Sequence, residues 1–457
     1  MHGSTLRPVC TSFKRTSSQR WNPAVPSCAG VWRRRMWVIR GRVFFRGQLE
    51  PLSVGIDEDG RVAAIKKVLR GDEEIDHGDA LILPGCVDLH VHMRDPGLKH
   101  KEDFPSGTRS AAIGGVTTIA DMPNTVPAVT TTTALNQKRA ELRGRAAVDY
   151  ALYAAPQSAT TVPRLSDAVA FKIYMAESTG NLEVSVPRLG EILRAAEAER
   201  KLVAVHAEDP TKFTKQEARD LQSHAAARPK IAEETAVATL ARVQGEAVVH
   251  VAHVTCVEAL DQVPASATCE VTPHHLFLDW SKPFGARGKV NPPLRSPADR
   301  DALWDAFRKG RIDAVASDHA PHTLDEKGAP FEEAPAGLPG VATSFPLLMR
   351  RIRTGDLDLP RLVSAMASRP AEILGIAKGT IEVGRDADLV VVDPRHIEAV
   401  SAKRVRYKCG WTPFEGMEAC FPRAVYLRGE PIVEDGEAVA EGQGRLITPR
   451  HVGRHDA

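Results

Sequence analysis

The residues best suited to chemistry begin in Asp88-Leu89-His90-Val91-His92-Met93-Arg94. The stretch is apolar and β-branched at alternate positions, so it predicts a buried strand. A period of two puts His90 and His92 on one side, with Arg94 next on that side. Two imidazoles at the C-terminal end of a strand make half a metal site; the alternative is a hydrogen-bonded pair. Further apolar runs end in Asn124, His206, His253 and Asp318, and another carries Lys172. Four histidines, a lysine and an aspartate at such positions serve packing poorly and suit a metal-dependent hydrolase. Paired cations lower the pKa of a shared water and polarise a carbonyl, which makes the bridging hydroxide the nucleophile. Asp318 can ligate a metal, take the proton of the attacking water and return it to a leaving nitrogen. Imidazole and carboxylate donors suit Zn²⁺ best, with Mn²⁺ or Co²⁺ as substitutes.

Lys172 sits in Phe171-Lys172-Ile173-Tyr174, where a charged amine is costly to bury. It reads in two ways. It pairs with a carboxylate, or its neutral amine adds carbon dioxide and the carbamate bridges two cations.

These residues need elements that bring them together. Between about 84 and 372 the chain alternates apolar runs with helical patterns, the signature of parallel βαβ units. Eight strands are expected, at 87–93, 117–122, 150–155, 168–175, 202–206, 248–253, 268–272 and 312–317. Helices are expected at 186–200, 231–244 and 297–309. Eight repeats predict a distorted (β/α)8, TIM-like barrel, whose strand ends converge on one mouth. The rival is an open doubly wound sheet, but no G-x-G-x-x-G follows the first strand and no P-loop is present. Short strand patterns at 36–83 and at 373–445, including 379–384, predict one discontinuous β-sandwich built from both ends of the chain. Asp59-Gly60 marks a hairpin turn in its first part.

The remaining composition excludes other classes. Net charge is +2 in 457 residues, which argues against nucleic acid or a membrane surface as partner. No apolar run is long enough to span a bilayer. Seven scattered cysteines without a Cys-x-x-Cys predict reduced thiols and a cytoplasmic setting. Residues 1–35 are basic, rich in Ser and Thr and free of acids. They read as a tail outside the fold: an organelle transit peptide, or an extension ahead of a start at Met36. Residues 446–457 read as a second tail.

The motifs carry a resemblance. His90–Gly97, His100–Phe104, Met122–Thr125, Pro273–Leu276, Asn291–Arg295, Ser317–His322 and Trp411–Gly416 resemble, in order and spacing, the dihydroorotase family of the amidohydrolase superfamily. The likeness covers nearly everything after Met36. It implies two Zn²⁺ per subunit and reversible closure of N-carbamoyl-L-aspartate to L-dihydroorotate, the third step of de novo pyrimidine synthesis. By matching position it implies that His90, His92 and Asp318 hold one metal, His206 and His253 the other, and carboxylated Lys172 bridges them. It implies that Arg94, Asn124 and His322 hold the substrate's α-carboxylate and that Asn291 touches the ring. A guanidinium fork with neutral donors suits a carboxylate; the alternative for Arg94 is a salt bridge to Asp95 or Glu102. A homodimer and association with aspartate transcarbamoylase are also implied.

Lys172 matches the lysine-bridged, two-metal form of the animal multifunctional enzyme, whereas many stand-alone bacterial relatives carry aspartate there. Residues 176–181 are expected as the loop over the site, with Ser178 and Thr179 where animal-like enzymes carry a Thr-Phe pair. Two other readings stand beside this one. Hydantoinases and allantoinases share the ligands but need no arginine two residues past the second histidine. An inactive scaffold relative usually loses ligands, and here all six are present.

Overall fold

The structure, a computed structural model, describes residues 35–176 and 181–448. The chain enters as a hairpin of β1 (Met36–Phe45) and β2 (Gln48–Asp57), paired along their whole length. Strands β3 (Val62–Lys66) and β4 (Glu73–Pro84) follow. The eight expected central strands are all present; most stop earlier than expected, and β5, β6 and β7 begin one residue sooner. They are β5 (Cys86–Val91), β6 (Val116–Asp121), β7 (Asp149–Leu152), β8 (Phe171–Tyr174), β9 (Val203–His206), β10 (Val249–Val251), β11 (Thr268–Val271) and β12 (Ala314–Val315). After them come β13 (Leu389–Val392), a small pair β14 (Glu398–Ala399) and β15 (Glu418–Ala419), then β16 (Ala424–Leu427), β17 (Glu430–Glu434) and β18 (Glu437–Ala438).

The central strands form two parallel sheets, β5-β6-β7 and β12-β11-β10-β9-β8. Parallel bridges Ala154↔Phe171 and Val91↔His319 join them at both seams, so the eight strands close into a ring. The ring is a barrel made of two sheets, three strands and five, joined at one seam by Val169 N–H to Leu152 O, Ala154 N–H to Ala170 O and Lys172 N–H to Ala154 O, and at the other by His92 N–H to His319 O. Helices fall where their signals lie. Pro297–Arg308 starts at Ser296, whose side chain and that of Asp299 cap each other's backbone N–H groups. Val186–Ala198 and Lys230–Val243 match the other two expected helices.

The expected discontinuous β unit is a single sheet, β18-β17-β16-β13-β4-β1-β2-β3. It curls back on itself: Val62 N–H donates to Arg385 O, and Arg61 bridges Asp386. Its inner face buries Ile39, Val54, Ile82, Leu389 and Val391, while Leu83, Val390 and Val425 face the barrel core. The expected strand at 379–384 is not one. It turns through Gly384 at φ 87°, and its backbone closes the curl against Val62. Leu446 and Ile447, expected in a tail, run beside Tyr150 of β7. Residues 1–34, 449–457 and the loop positions Ser178 and Thr179 lie outside the described residues. Cys86, Cys256, Cys269, Cys409 and Cys420 are free and buried. Among the described residues no helix is long and apolar enough to cross a membrane.

A buried ion cluster ties sheet to barrel. Lys378 Nζ lies 2.6 Å from Asp149, 2.7 Å from Asp386 and 2.7 Å from Asp388. Arg428 also binds Asp149, at 2.6 Å. These carboxylates approach one another closely enough for a metal ion, but the protein's own cations already neutralise them. Lys378→Met strands buried carboxylates and is expected to cost about 3 kcal/mol. A lowered urea midpoint with an unchanged slope is the measurement that checks it.

Candidate metal centre

His90, His92, Arg94, Asn124, Lys172, His206, His253, Asn291, Asp318 and His322 all line one cavity of about 440 Å³. The structure thus brings together every residue singled out in the sequence. They arrive at the C-terminal ends of the barrel strands. His90, Lys172 and His206 sit within β5, β8 and β9. His253 and Asp318 lie two and three residues beyond β10 and β12.

The strand period does not deliver Arg94. β5 ends at Val91, and Arg94 reaches the cavity from a left-handed turn at φ 59°. His253 at φ 40° and Asp318 at φ 44° use the same device. Left-handed backbone costs a non-glycine residue about 1–2 kcal/mol, and such strain gathers where function fixes a side chain.

The hydrogen bonds show which imidazole atoms are available. His90 Nδ1 is bound to Glu270 Oε1. His92 Nδ1 donates to Asn124 Oδ1 at 2.6 Å, and His206 Nε2 to Glu208 Oε2 at 2.8 Å. Each ring proton is thereby held by an oxygen, so the opposite nitrogen carries a bare lone pair. Burial lowers the pKa of His90, His206 and His253, which keeps them neutral.

The bare atoms converge. His92 Nε2 lies 2.9 Å from Asp318 Oδ1, and His90 Nε2 lies 3.4 Å from the same oxygen. His206 Nδ1 faces His253 Nε2 at 3.0 Å. The lone pairs of His90 and His92 and the Asp318 carboxylate repel one another at these distances unless a cation lies between them. The donor set therefore fits divalent metal, with carboxylates and an amide orienting the ligands from behind.

Lys172 Nζ lies 3.4 Å from His90 Nε2 and has no carboxylate within 4.0 Å among the described residues. The ion-paired reading is not what the structure holds. Burial brings its amine down to about 8. A neutral amine amid metal ligands is the form that can add carbon dioxide.

Arg94 is 3% exposed. Asp95 instead pairs with Arg145 and Lys99, and Glu102 bonds Ser106 and faces His319. Arg94 reaches Pro321 O at 3.2 Å and His322 Nε2 at 3.2 Å, and it has no carboxylate within 4.0 Å among the described residues. A buried guanidinium that lines a cavity and makes no direct ion pair is suited to grip an anion. Asn124 and Asn291 spend their carbonyl oxygens on His92 and His224, which leaves both amide N–H groups for the cavity.

Sequence reasoning missed the orienting residues. Glu270 lies in β11, binding His90 and His250 at once. Glu208 is two residues past His206 and is held by Arg228. An acid inside a buried strand and an acid at i+2 of a ligand were the available signals. Glu270→Gln keeps the shape and removes the charge, and it is expected to weaken metal binding about 10–100-fold. Competition with a chelator measures this directly.

The chain is similar to known proteins. Residues 81–431 match the profile of the Amidohydrolase family. The dihydroorotase of Halobacterium salinarum is 40% identical over 425 residues, spanning 90% of this chain and 100% of the relative. That of Methanosarcina acetivorans is 36% identical over 441 residues, 89% of this chain and 94% of the relative. The L-hydantoinase (dihydropyrimidinase) of Arthrobacter aurescens superposes with a TM-score of 0.85 at 30% identity, covering 90% of this chain and 99% of its own.

Proposed function

The chain belongs to the amidohydrolase family as a hydrolase acting on cyclic amides, and from that premise we propose that it is a dihydroorotase. It interconverts N-carbamoyl-L-aspartate and L-dihydroorotate, the third step of pyrimidine synthesis. The observation that carries this reading is the buried Arg94 guanidinium lining the cavity beside His322 without a direct ion pair. A ring bearing an amino-acid carboxylate supplies an anion for it; a plain hydantoin does not.

His90, His92 and Asp318 would hold one zinc, His206 and His253 a second, and carboxylated Lys172 would bridge them. When bound, the metals supply Lewis-acid polarisation of the ring carbonyl and a water of lowered pKa. The chain's own residues do the rest. The neutral Lys172 amine attacks carbon dioxide, a nitrogen–carbon bond forms and one proton leaves to solvent. Arg94, Asn124 and His322 grip the α-carboxylate and turn the reactive amide toward Asp318. Burial and the nearby Arg94 lower the His322 pKa, so it meets the carboxylate as a neutral donor. In hydrolysis Asp318 takes the proton of the attacking water and passes it to the amide nitrogen as the carbon–nitrogen bond breaks. In ring closure it runs the same transfers backwards. The free buried thiols support a cytoplasmic setting. The family resemblance supports a homodimer working beside an aspartate transcarbamoylase.

The likeness in shape to L-hydantoinase favours one second reading, a cyclic-amide hydrolase for uncharged rings. A single comparison separates the two. Purified, zinc-loaded protein is offered L-dihydroorotate, hydantoin and dihydrouracil, with metal content measured on the same sample. Dihydroorotate is expected to turn over fastest by a wide margin. Faster turnover of an uncharged ring by fully metallated protein overturns the assignment.

A further inference from the structure

One side chain in the cavity has no part in the chemistry described so far. Tyr174 follows Lys172 by two residues on β8, so both point to the barrel interior. Its ring lines the cavity and is 2% exposed. Its hydroxyl is buried and has no hydrogen-bond partner among the described residues. A buried phenol normally finds a partner, and leaving it alone costs about 1–3 kcal/mol. An orphaned donor that faces a substrate cavity marks a place where a ligand atom completes the bond.

The surroundings say which end of the ligand that is. The Tyr174 ring centroid lies 5.5 Å from Lys172 Nζ and 6.2 Å from the His206 ring centroid. The tyrosine therefore flanks the metal-ligand side of the cavity, where the amide reacts. A phenol titrates at about 10, so at neutral pH it carries its proton and serves as a donor.

We propose that Tyr174 is a further catalytic residue, whose hydroxyl donates a hydrogen bond to the reacting carbonyl oxygen as that oxygen gains negative charge. The inference rests on the cyclic-amide chemistry proposed above, but not on which ring is opened. A preorganised neutral donor strengthens its bond as charge develops, so its effect falls on the chemical step more than on binding. No proton is transferred; the tyrosine begins and ends each turnover as a phenol.

The test is Tyr174→Phe in zinc-loaded enzyme, which removes one oxygen and leaves the ring packed. The substrate is whichever cyclic amide the parent hydrolyses best, so failure of the dihydroorotase reading does not affect the outcome. The expected result is a fall in kcat of about 100-fold, a KM within about threefold of the parent and unchanged metal content. The visible spectrum of the cobalt-substituted variant should match the parent's. Three results each overturn the proposal: kcat within twofold of the parent, a loss confined to KM, or loss of metal. The last two would make Tyr174 a binding residue or a support for the ligands.

Discussion

Arg94→Met is expected to remove dihydroorotate hydrolysis while leaving metal content intact. The guanidinium is buried, lies against His322 at 3.2 Å and lacks a carboxylate partner within the described protein. A substrate carboxylate would give it the direct ion pair that the protein's own acids do not. Methionine matches its length and apolar stem but supplies neither fork nor charge. Losing one side of a buried, hydrogen-bonded charge pair costs about 3–5 kcal/mol. That corresponds to roughly a hundredfold to a few thousandfold in kcat/KM. The ligand histidines keep their partners Glu270, Asn124 and Glu208, so zinc should remain. The variant should act on hydantoin no worse than the parent does. Loss of metal, or retention of dihydroorotate turnover, would show that Arg94 supports the fold rather than the substrate.

Lys172→Ala is the second large effect. Alanine leaves four imidazoles and one carboxylate to hold two dications with a single negative charge. Metal content should fall from two per chain to one or fewer. Activity should fall by about a thousandfold, since two-metal polarisation supplies several kcal/mol of transition-state stabilisation. The space vacated lies beside His90 and is large enough for a small carboxylic acid. Acetate or propionate with added zinc should restore part of both metal and activity. A variant with two metals and full activity in acid-free buffer would sink the carbamate assignment.

The candidate site was more legible in the sequence than the fold around it. Each candidate ligand lies in or just after an apolar run, and that pattern needs no knowledge of neighbours. The orienting residues were hidden because their meaning depends on pairing. Glu270 is 180 residues from His90, and only the barrel's closure makes them partners. The ends of the strands were overdrawn for a related reason. Hydrophobic alternation runs on through Arg94, His253 and Asp318, but the ladder stops earlier and left-handed turns take over. Residues 379–384 look strand-like by composition, yet their glycines turn the chain to close a sheet whose curl is a tertiary property.

The barrel's two-piece construction has a consequence for how the protein responds to what it binds. His90, His92, Arg94 and Asn124 belong to the three-strand piece or the turns after it. Lys172, His206, Glu270, His253 and Asp318 belong to the five-strand piece. The contacts His90–Glu270, His92–Asp318 and Asp88–Ser317 cross the joint between them. The cavity straddles the seam where His92 N–H donates to His319 O. Any occupant gripping both walls works as a keystone, and its binding free energy adds to the stability of the closed ring.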